Sequence, residues 1–376
     1  MLERIHLENF KASRDVDVRL APLTVLAGLN STGKSTLLQA VGLLRQSYDT
    51  NGKTNGLSLS GPLVHLGQYG DVLSEGAAGD AVAITIGEDG TSNRWAFRGE
   101  REANQLHLDA APKNPPLFVK SPHFQFLQAD RIVPRTLYPQ ASQQDRNLGF
   151  LGAHGEYTVD FLSRSSNHVV AKARAFPRTG LGINADLLDK VAPTDGLLDQ
   201  VAGWLQQLSP GARLYATAVD GTDEVLLQFS YVGKHRESGS NPYRPTNVGF
   251  GLTYSLPIIV SCLAAPKGSL LLMENPEAHL HPQGQASLGE LIAQCVSDGV
   301  QIIVETHSDH LLNGLRLAVK NKHIRSDKVV LHLFSRATET GEVFVQSPAV
   351  LENGRVSNWP DGFFDQWDKD IEALLG

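Results

Sequence analysis

Apolar and polar positions change period several times along this chain, and each change marks an element. Ile5–Asn9 and Thr24–Ala27 read as two short strands around a polar connection, the second running straight into a glycine-bounded loop. From about Lys34 to Tyr48 the spacing becomes helical: Ser31, Thr32 and Gly33 mark the start, and Leu37, Leu38, Val41 and Leu44 form the inner face. Residues 50–60 are loop-like in composition. Ala81–Ile86, Arg94–Phe97 and Gln105–Leu108 then read as antiparallel strands joined by turns such as Asp89-Gly90. From about Pro134 to Leu208, Gly and Pro breaks separate short helical patterns at Leu187–Val191 and Leu197–Leu205, which predicts a helical insertion; without sustained heptads it is no long coiled coil. Strands at Arg213–Val219 and Val225–Tyr231 meet at Asp220-Gly221. After them come a helix near Leu252, an apolar strand Leu270–Met273, a helix near Gln283–Ser297 and a strand Gln301–Val304. Strands alternating with helices imply an α/β fold with a parallel sheet. The expected organisation is one structural unit, with an N-terminal lobe at 1–133, the helical insertion at 134–210 and a C-terminal lobe at 211–376.

Composition narrows the setting. With 41% hydrophobic residues in 376, the core is self-sufficient, and Cys262 and Cys295 alone make no disulfide framework or CxxC zinc site. The start MLERIHLENF alternates where a secretory signal needs an unbroken apolar run, and Leu252–Ala265 is interrupted by Tyr254, Ser255, Pro257 and Ser261. A soluble, cytoplasmic protein with no membrane partner is expected. The net charge of −7 excludes a uniformly basic surface but leaves room for a local nucleic-acid contact.

The sharpest chemical signal is Gly28-Leu29-Asn30-Ser31-Thr32-Gly33-Lys34-Ser35, which fits G-x-x-x-x-G-K-[ST] between a strand and a helix. Such a loop curls its backbone N–H groups around phosphates, and the helix N-terminus adds its dipole. Lys34 is expected to reach the β/γ-phosphates of ATP and Ser35 to hold Mg²⁺. The candidate nucleotide-binding set is Gly28, Asn30, Ser31, Thr32, Gly33, Lys34, Ser35 and Thr36. Far along the chain, the apolar strand Leu270–Met273 ends in Glu274, the Walker B arrangement that sets a carboxylate beside the metal.

The run Glu274-Asn275-Pro276-Glu277-Ala278-His279-Leu280-His281-Pro282, followed by Val304-Glu305-Thr306-His307-Ser308, resembles the core of the ABC-type ATPases grouped with RecF, SMC and OLD proteins. LENFKAS near the start is similar to their first strand, and Trp359-Pro360-Asp361-Gly362-Phe363-Phe364 is like the C-terminal region of a compact bacterial subfamily. The resemblance implies a P-loop ABC-type ATPase head with a mixed β-lobe and a parallel core sheet. It implies that His307 contacts the γ-phosphate and that His279–Pro282 form the D-loop. Asn247-Val248-Gly249-Phe250-Gly251 stands in place of the signature motif, offering Gly249 and Gly251 to the nucleotide of a second copy, so the implied partner is another copy of this chain. Gln68 is a candidate for the Q-loop glutamine at the metal, or a turn glutamine without a role. Lys11 is a candidate phosphate contact, or a solvated lysine.

One position departs from the family. Where its members commonly carry Asp-Glu, this chain has Glu274-Asn275, and an amide cannot accept a proton as a carboxylate does. Either Glu277 takes that role, or hydrolysis is slow and the protein is mainly an ATP-gated switch. The resemblance implies a DNA-directed process, such as anti-phage defence or DNA repair, with a nuclease-like effector in another chain. The alternative is a non-hydrolysing ATP-dependent scaffold that holds a toxic effector inactive. Two weaker features remain: the basic stretch Arg316, Lys320, Lys322, Arg325 and Lys328, a solvated face or a phosphate track, and Asp368-Lys369-Asp370, read as an exposed helix because the tail is too short for the Toprim nuclease of OLD proteins.

Overall fold

The computed structural model describes the chain except residues 50, 78, 144, 146–150, 179–184, 233–239, 360–362, 364–365 and 376, and for 366–369 only the backbone. Part of the 359–364 tail motif and the Asp368 side chain therefore lie outside the described residues. The chain divides into two compact units, one of Met1–Ser121, Ile303–Asp309 and Val319–Gly376, the other of Pro122–Ile302 and His310–Ala318.

In the first unit an antiparallel sheet is built from β1 (Leu2–Phe10), β2 (Ser13–Arg19), β4 (Leu57–Ser58), β5 (Val82–Glu88), β6 (Thr91–Arg98) and β7 (Gln105–Ala110), in the order β2-β1-β5-β6-β7-β4. Residues 13–19 are thus a strand and not the polar connection expected. Val16 and Val18 are buried while Asp15, Asp17 and Arg19 face out, a period of two whose outer positions are charged, as suits an edge strand. A second layer holds β3 (Leu23–Gly28), residues Ile303–Thr306 of β13 (Gln301–Thr306), β14 (Val329–Arg336) and β15 (Val343–Gln346), in the order β15-β14-β3-β13. β14 runs parallel to β3 with Val329 opposite Leu23 and Phe334 opposite Gly28. Helix α1 (Lys34–Gln46) leaves β3 through the glycine loop and buries Leu37, Leu38, Val41 and Leu44. The turn helix α2 (Tyr69–Val72) is tied to the end of β1, where Lys11 N–H donates to the Val72 carbonyl at 2.7 Å. The last helix, α9 (Gln366–Leu375), carries the exposed Asp370.

In the second unit β12 (Leu270–Glu274) pairs in parallel with β8 (Phe124–Leu127). β9 (Leu137–Pro139), β10 (Ala212–Ala218) and β11 (Glu224–Tyr231) form an antiparallel sheet in the order β10-β11-β9. The helices are α3 (Thr158–Arg164), α4 (Ala185–Val191), α5 (Leu197–Leu205), α6 (Phe250–Ala264), α7 (Pro282–Ser297) and the His310–Ala318 part of α8 (Asp309–Lys320). The stretch 134–210 contributes a strand as well as helices, and it is anchored by buried Arg174, which donates to the Cys262 carbonyl at 3.1 Å and pairs with Asp298 at 2.9 Å. α6 buries every residue from Leu252 to Leu263, the polar Thr253, Ser255 and Ser261 included, as a helix apolar on nearly all sides does. α7 and α8 meet through glycines: a Cβ on Gly289 would lie 2.5 Å from the Leu311 carbonyl oxygen, and one on Gly314 2.1 Å from that of Ala286. Among the described residues no helix is long and apolar enough to cross a membrane.

Candidate nucleotide site

The loop between β3 and α1 is shaped by its glycines. Gly28 at φ 143° lies so close to β14 that a Cβ would sit 2.3 Å from the Phe334 carbonyl oxygen. Gly33 caps α1 at φ 93° and no side chain bonds to the helix end. First-turn N–H groups lack intrahelical acceptors, so this bare N-terminus is electropositive and open to an anion. Leu29, Asn30 and Ser31 are exposed, whereas Thr32, Lys34 and Thr36 are buried and Ser35 half-buried. The Leu29 carbonyl accepts from the Thr32 hydroxyl at 2.8 Å and from Lys34 Nζ at 2.6 Å, so the lysine folds back over the loop.

Glu305, the penultimate residue of β13, places Oε1 3.9 Å from Lys34 Nζ. Burial pushes the lysine below its ordinary range, and the carboxylate opposes that. Two residues on, His307 is held below the ordinary imidazole value by desolvation and by the Lys34 charge, against a hydrogen bond to the Gly28 carbonyl. Lys34, Glu305, His307 and Gly28 therefore meet at one place. Lys11 is not simply solvated: its Nζ donates to Gln39 Oε1 on α1 at 2.7 Å. Gln68 is exposed at the start of α2, where its N–H donates to Asp71 Oδ2 at 2.9 Å.

In the second unit β12 delivers a half-buried Glu274, whose Oε2 accepts from the Ala129 N–H at 3.1 Å. Asn275 follows in a left-handed conformation, φ 43°, which Asn tolerates better than most side chains, and Glu277 is 7% exposed. His279 is left-handed as well, at φ 63°. Pro282 opens α7 at its first position, where the missing N–H costs nothing, and the His281 ring accepts from the Gln283 N–H at 3.4 Å. Gly249 is the exposed, uncapped start of α6 with open space where a Cβ would be; Gly251 instead packs on the backbone of His279, 2.6 Å from its carbonyl oxygen by the same measure. Phe250, Tyr254 and His279 stack, with ring centroids 4.6 Å apart for Phe250 and His279 and 4.9 Å for Tyr254 and His279.

Glu305 and Arg131 are parts of these constellations that carried no role in the sequence reading. Glu305 could have been found as a charge directly after the apolar run Ile302–Val304, still within the strand. Arg131, in a loop without periodicity, had no such signal.

For the metal that such sites use, the fit is chemical: Ser35 and Glu274 offer hydroxyl and carboxylate oxygens, the hard donors that Mg²⁺ prefers.

Three comparisons bear on this geometry. A family model described as "AAA domain, putative AbiEii toxin, Type IV TA system" matches residues 23–313, and one described as a protein of unknown function, DUF3696, matches 324–374. The chain is 43% identical over 374 residues to the OLD nuclease of Thermus scotoductus, covering 88% of this chain. It spans 64% of the length of that relative. Among solved structures, an SMC head bound to the C-winged helix domain of ScpA aligns with TM-score 0.50 at 13% identity, over 93% of this chain and 98% of that one. An SMC head with an extended coiled coil, bound to the C-terminal domain of ScpA from Pyrococcus furiosus, aligns with TM-score 0.50 at 12% identity over the whole of both chains. The SMC likeness speaks for the fold, that of a P-loop ABC-type ATPase head, and the family match spans the glycine loop, the Glu274 strand and His307 together; the chain belongs to the AAA_21 family.

Proposed function

We propose that this protein binds ATP at Gly28–Ser35, hydrolyses it slowly, and closes as a pair of copies around the nucleotide to drive or license a DNA-directed process, anti-phage defence or DNA repair, with a separate nuclease-like effector. The observation that carries this reading is the buried Lys34 ammonium, 3% exposed, folded over a loop at an uncapped helix N-terminus. Phosphate oxygens would replace the Leu29 carbonyl as its acceptor, and the loop N–H groups would bind the remaining charge. The neutral His307 ring gives its one N–H to the Gly28 carbonyl, so donation to a γ-phosphate oxygen requires the ring to exchange that partner for the phosphate or to take up a proton beside it. Mg²⁺, when bound, would be held by Ser35 and Glu274, with Gln68 as a third candidate, and would neutralise charge on the phosphate oxygens. Glu277 is the proposed general base, since Asn275 offers only an amide. The word nuclease in the name of the 43% identical relative supports the DNA-directed setting.

The amide at 275 also favours a second reading, an ATP-dependent scaffold that does not hydrolyse and restrains a toxic effector. Light scattering with and without a non-hydrolysable ATP analogue tests the pairing: doubling of mass with Mg²⁺ and analogue is expected, and a mass indifferent to nucleotide would count against it. Phosphate release from ATP separates the two readings, because only the first gives turnover.

A further inference from the structure

Arg131 is 2% exposed, and the Glu277 and Glu274 carboxylates act on its charge through space and not through a hydrogen bond from the guanidinium. Its partners are backbone carbonyls: Nη1 donates to Gln128 at 2.9 Å and to Glu274 at 2.6 Å, and Nη2 to Asn275 at 2.7 Å. The face of the fork lies 4.4 Å from the centroid of the Tyr254 ring. Burying a guanidinium without a directly bonded carboxylate is costly, and the geometry shows what is obtained for it. A planar fork can grip two consecutive carbonyls at once, which a lysine cannot. The two it grips belong to the peptides on either side of the left-handed Asn275 Cα, so Arg131 fixes the direction in which the chain leaves β12.

The same loop holds the carboxylate, through Ala129 N–H to Glu274 Oε2, and Tyr254 donates its hydroxyl hydrogen to the Ala129 carbonyl. Tyr254 meets His279 edge-on at 82°, His279 stacks with Phe250, and Phe250 is the 39% exposed first residue of α6 beside Gly249. Packed contacts thus run without a gap from the exposed start of α6 to the carboxylate of Glu274.

We propose that Arg131 is a positioning residue of the ATPase centre, which with Tyr254 holds Glu274 in its working orientation and ties that orientation to the exposed Gly249–Phe250 end of α6. The inference rests on the reading of Glu274 as the acid of the ATPase site. It is tested with Arg131→Lys and Arg131→Met in the full chain, measuring ATP-analogue affinity, kcat and KM. Affinity and KM are expected within about threefold of wild type, while kcat falls roughly 10- to 100-fold, the scale of a misplaced reacting group. Lysine should rescue little, because one ammonium cannot span both carbonyls. A folded Arg131→Lys with wild-type kcat overturns the proposal, as does a loss shared equally by affinity and kcat. Should both variants fail to fold, Tyr254→Phe removes only the hydroxyl bond to Ala129; it is expected to lower kcat several-fold at unchanged KM, and an unchanged kcat overturns the proposal. Absence of turnover in wild type, or turnover that survives Lys34→Ala, would instead sink the ATPase reading and this inference with it.

Discussion

Lys34 Nζ and Glu305 Oε1 lie 3.9 Å apart, with the two side chains 3% and 5% exposed. A carboxylate this close competes with an incoming phosphate for the lysine and repels its negative charge. Removing that charge while keeping the shape, as in Glu305→Gln, is expected to tighten ATP binding by roughly threefold to tenfold, on the order of 1 kcal/mol for one screened charge pair. Calorimetry checks this; an affinity for ATP equal to or weaker than wild type would show that Glu305 supports the bound state.

Gly249 and Gly251 separate assembly from folding. A methyl at 251 would meet the His279 carbonyl oxygen at 2.6 Å, whereas at 249 it meets nothing within 4 Å. Gly251→Ala should therefore lose about 1–3 kcal/mol of stability in denaturant melts. Gly249→Ala should melt as wild type yet lose most of the ATP-driven mass increase. Equal behaviour of the two variants in both measurements would remove the signature assignment.

Asn275 stands where a second acid was expected, and its φ of 43° supplies a backbone reason. Alanine in the left-handed region costs about 1–2 kcal/mol and glycine none, so Asn275→Ala should be destabilised by that amount and Asn275→Gly little changed. Asp tolerates this region too, which makes Asn275→Asp the compatible way to place a carboxylate here. Equal stability of the Ala and Gly variants would contradict the conformational explanation.

Much of this was legible in the chain. The glycine loop, the strand ending at Glu274 and the helix of Leu252 are legible because a phosphate loop has a fixed glycine spacing and a buried strand or helix is apolar over most of its length. β2 is not, since an edge strand carries Arg14, Asp15 and Asp17 among its apolar positions. β8 and β14 are not marked in the same way: Gln125 breaks the apolar run of the first, and His332, Ser335 and Arg336 that of the second, which follows a basic stretch. Glu305 and Arg131 escaped for a different reason. Their importance lies in what they touch, Lys34 in one case and the carbonyls of Glu274 and Asn275 in the other; a charge closing the apolar run 302–304 hints at Glu305, but spacing along the chain carries no trace of what Arg131 touches.

His332 on β14 is buried and fully bonded as a neutral ring: Nε2 lies 2.7 Å from the Arg19 carbonyl, which can only accept, and Nδ1 lies 2.7 Å from the Ser347 hydroxyl. Burial holds its pKa below the ordinary value, and His307 is displaced the same way. The unfolded chain therefore binds protons first as pH falls. The stability from these histidines is complete above about 6.5 and is lost as pH drops through their depressed values. Urea melts from pH 7.5 to 5 should show this decline, and His332→Gln should flatten it. A wild-type slope matching the variant's would contradict the assignment of His332.

Release of phosphate from ATP, followed at steady state for wild type, Lys34→Ala and Glu277→Gln, tests the ATPase reading most directly. Wild type should turn over slowly, and Lys34→Ala should neither bind nor hydrolyse ATP. Glu277→Gln should bind normally while slowing by the roughly 10²–10⁴ typical of a lost general base. Turnover in Lys34→Ala at the wild-type rate would contradict the phosphate loop as the site of ATP, and an unslowed Glu277→Gln would move the base to another residue.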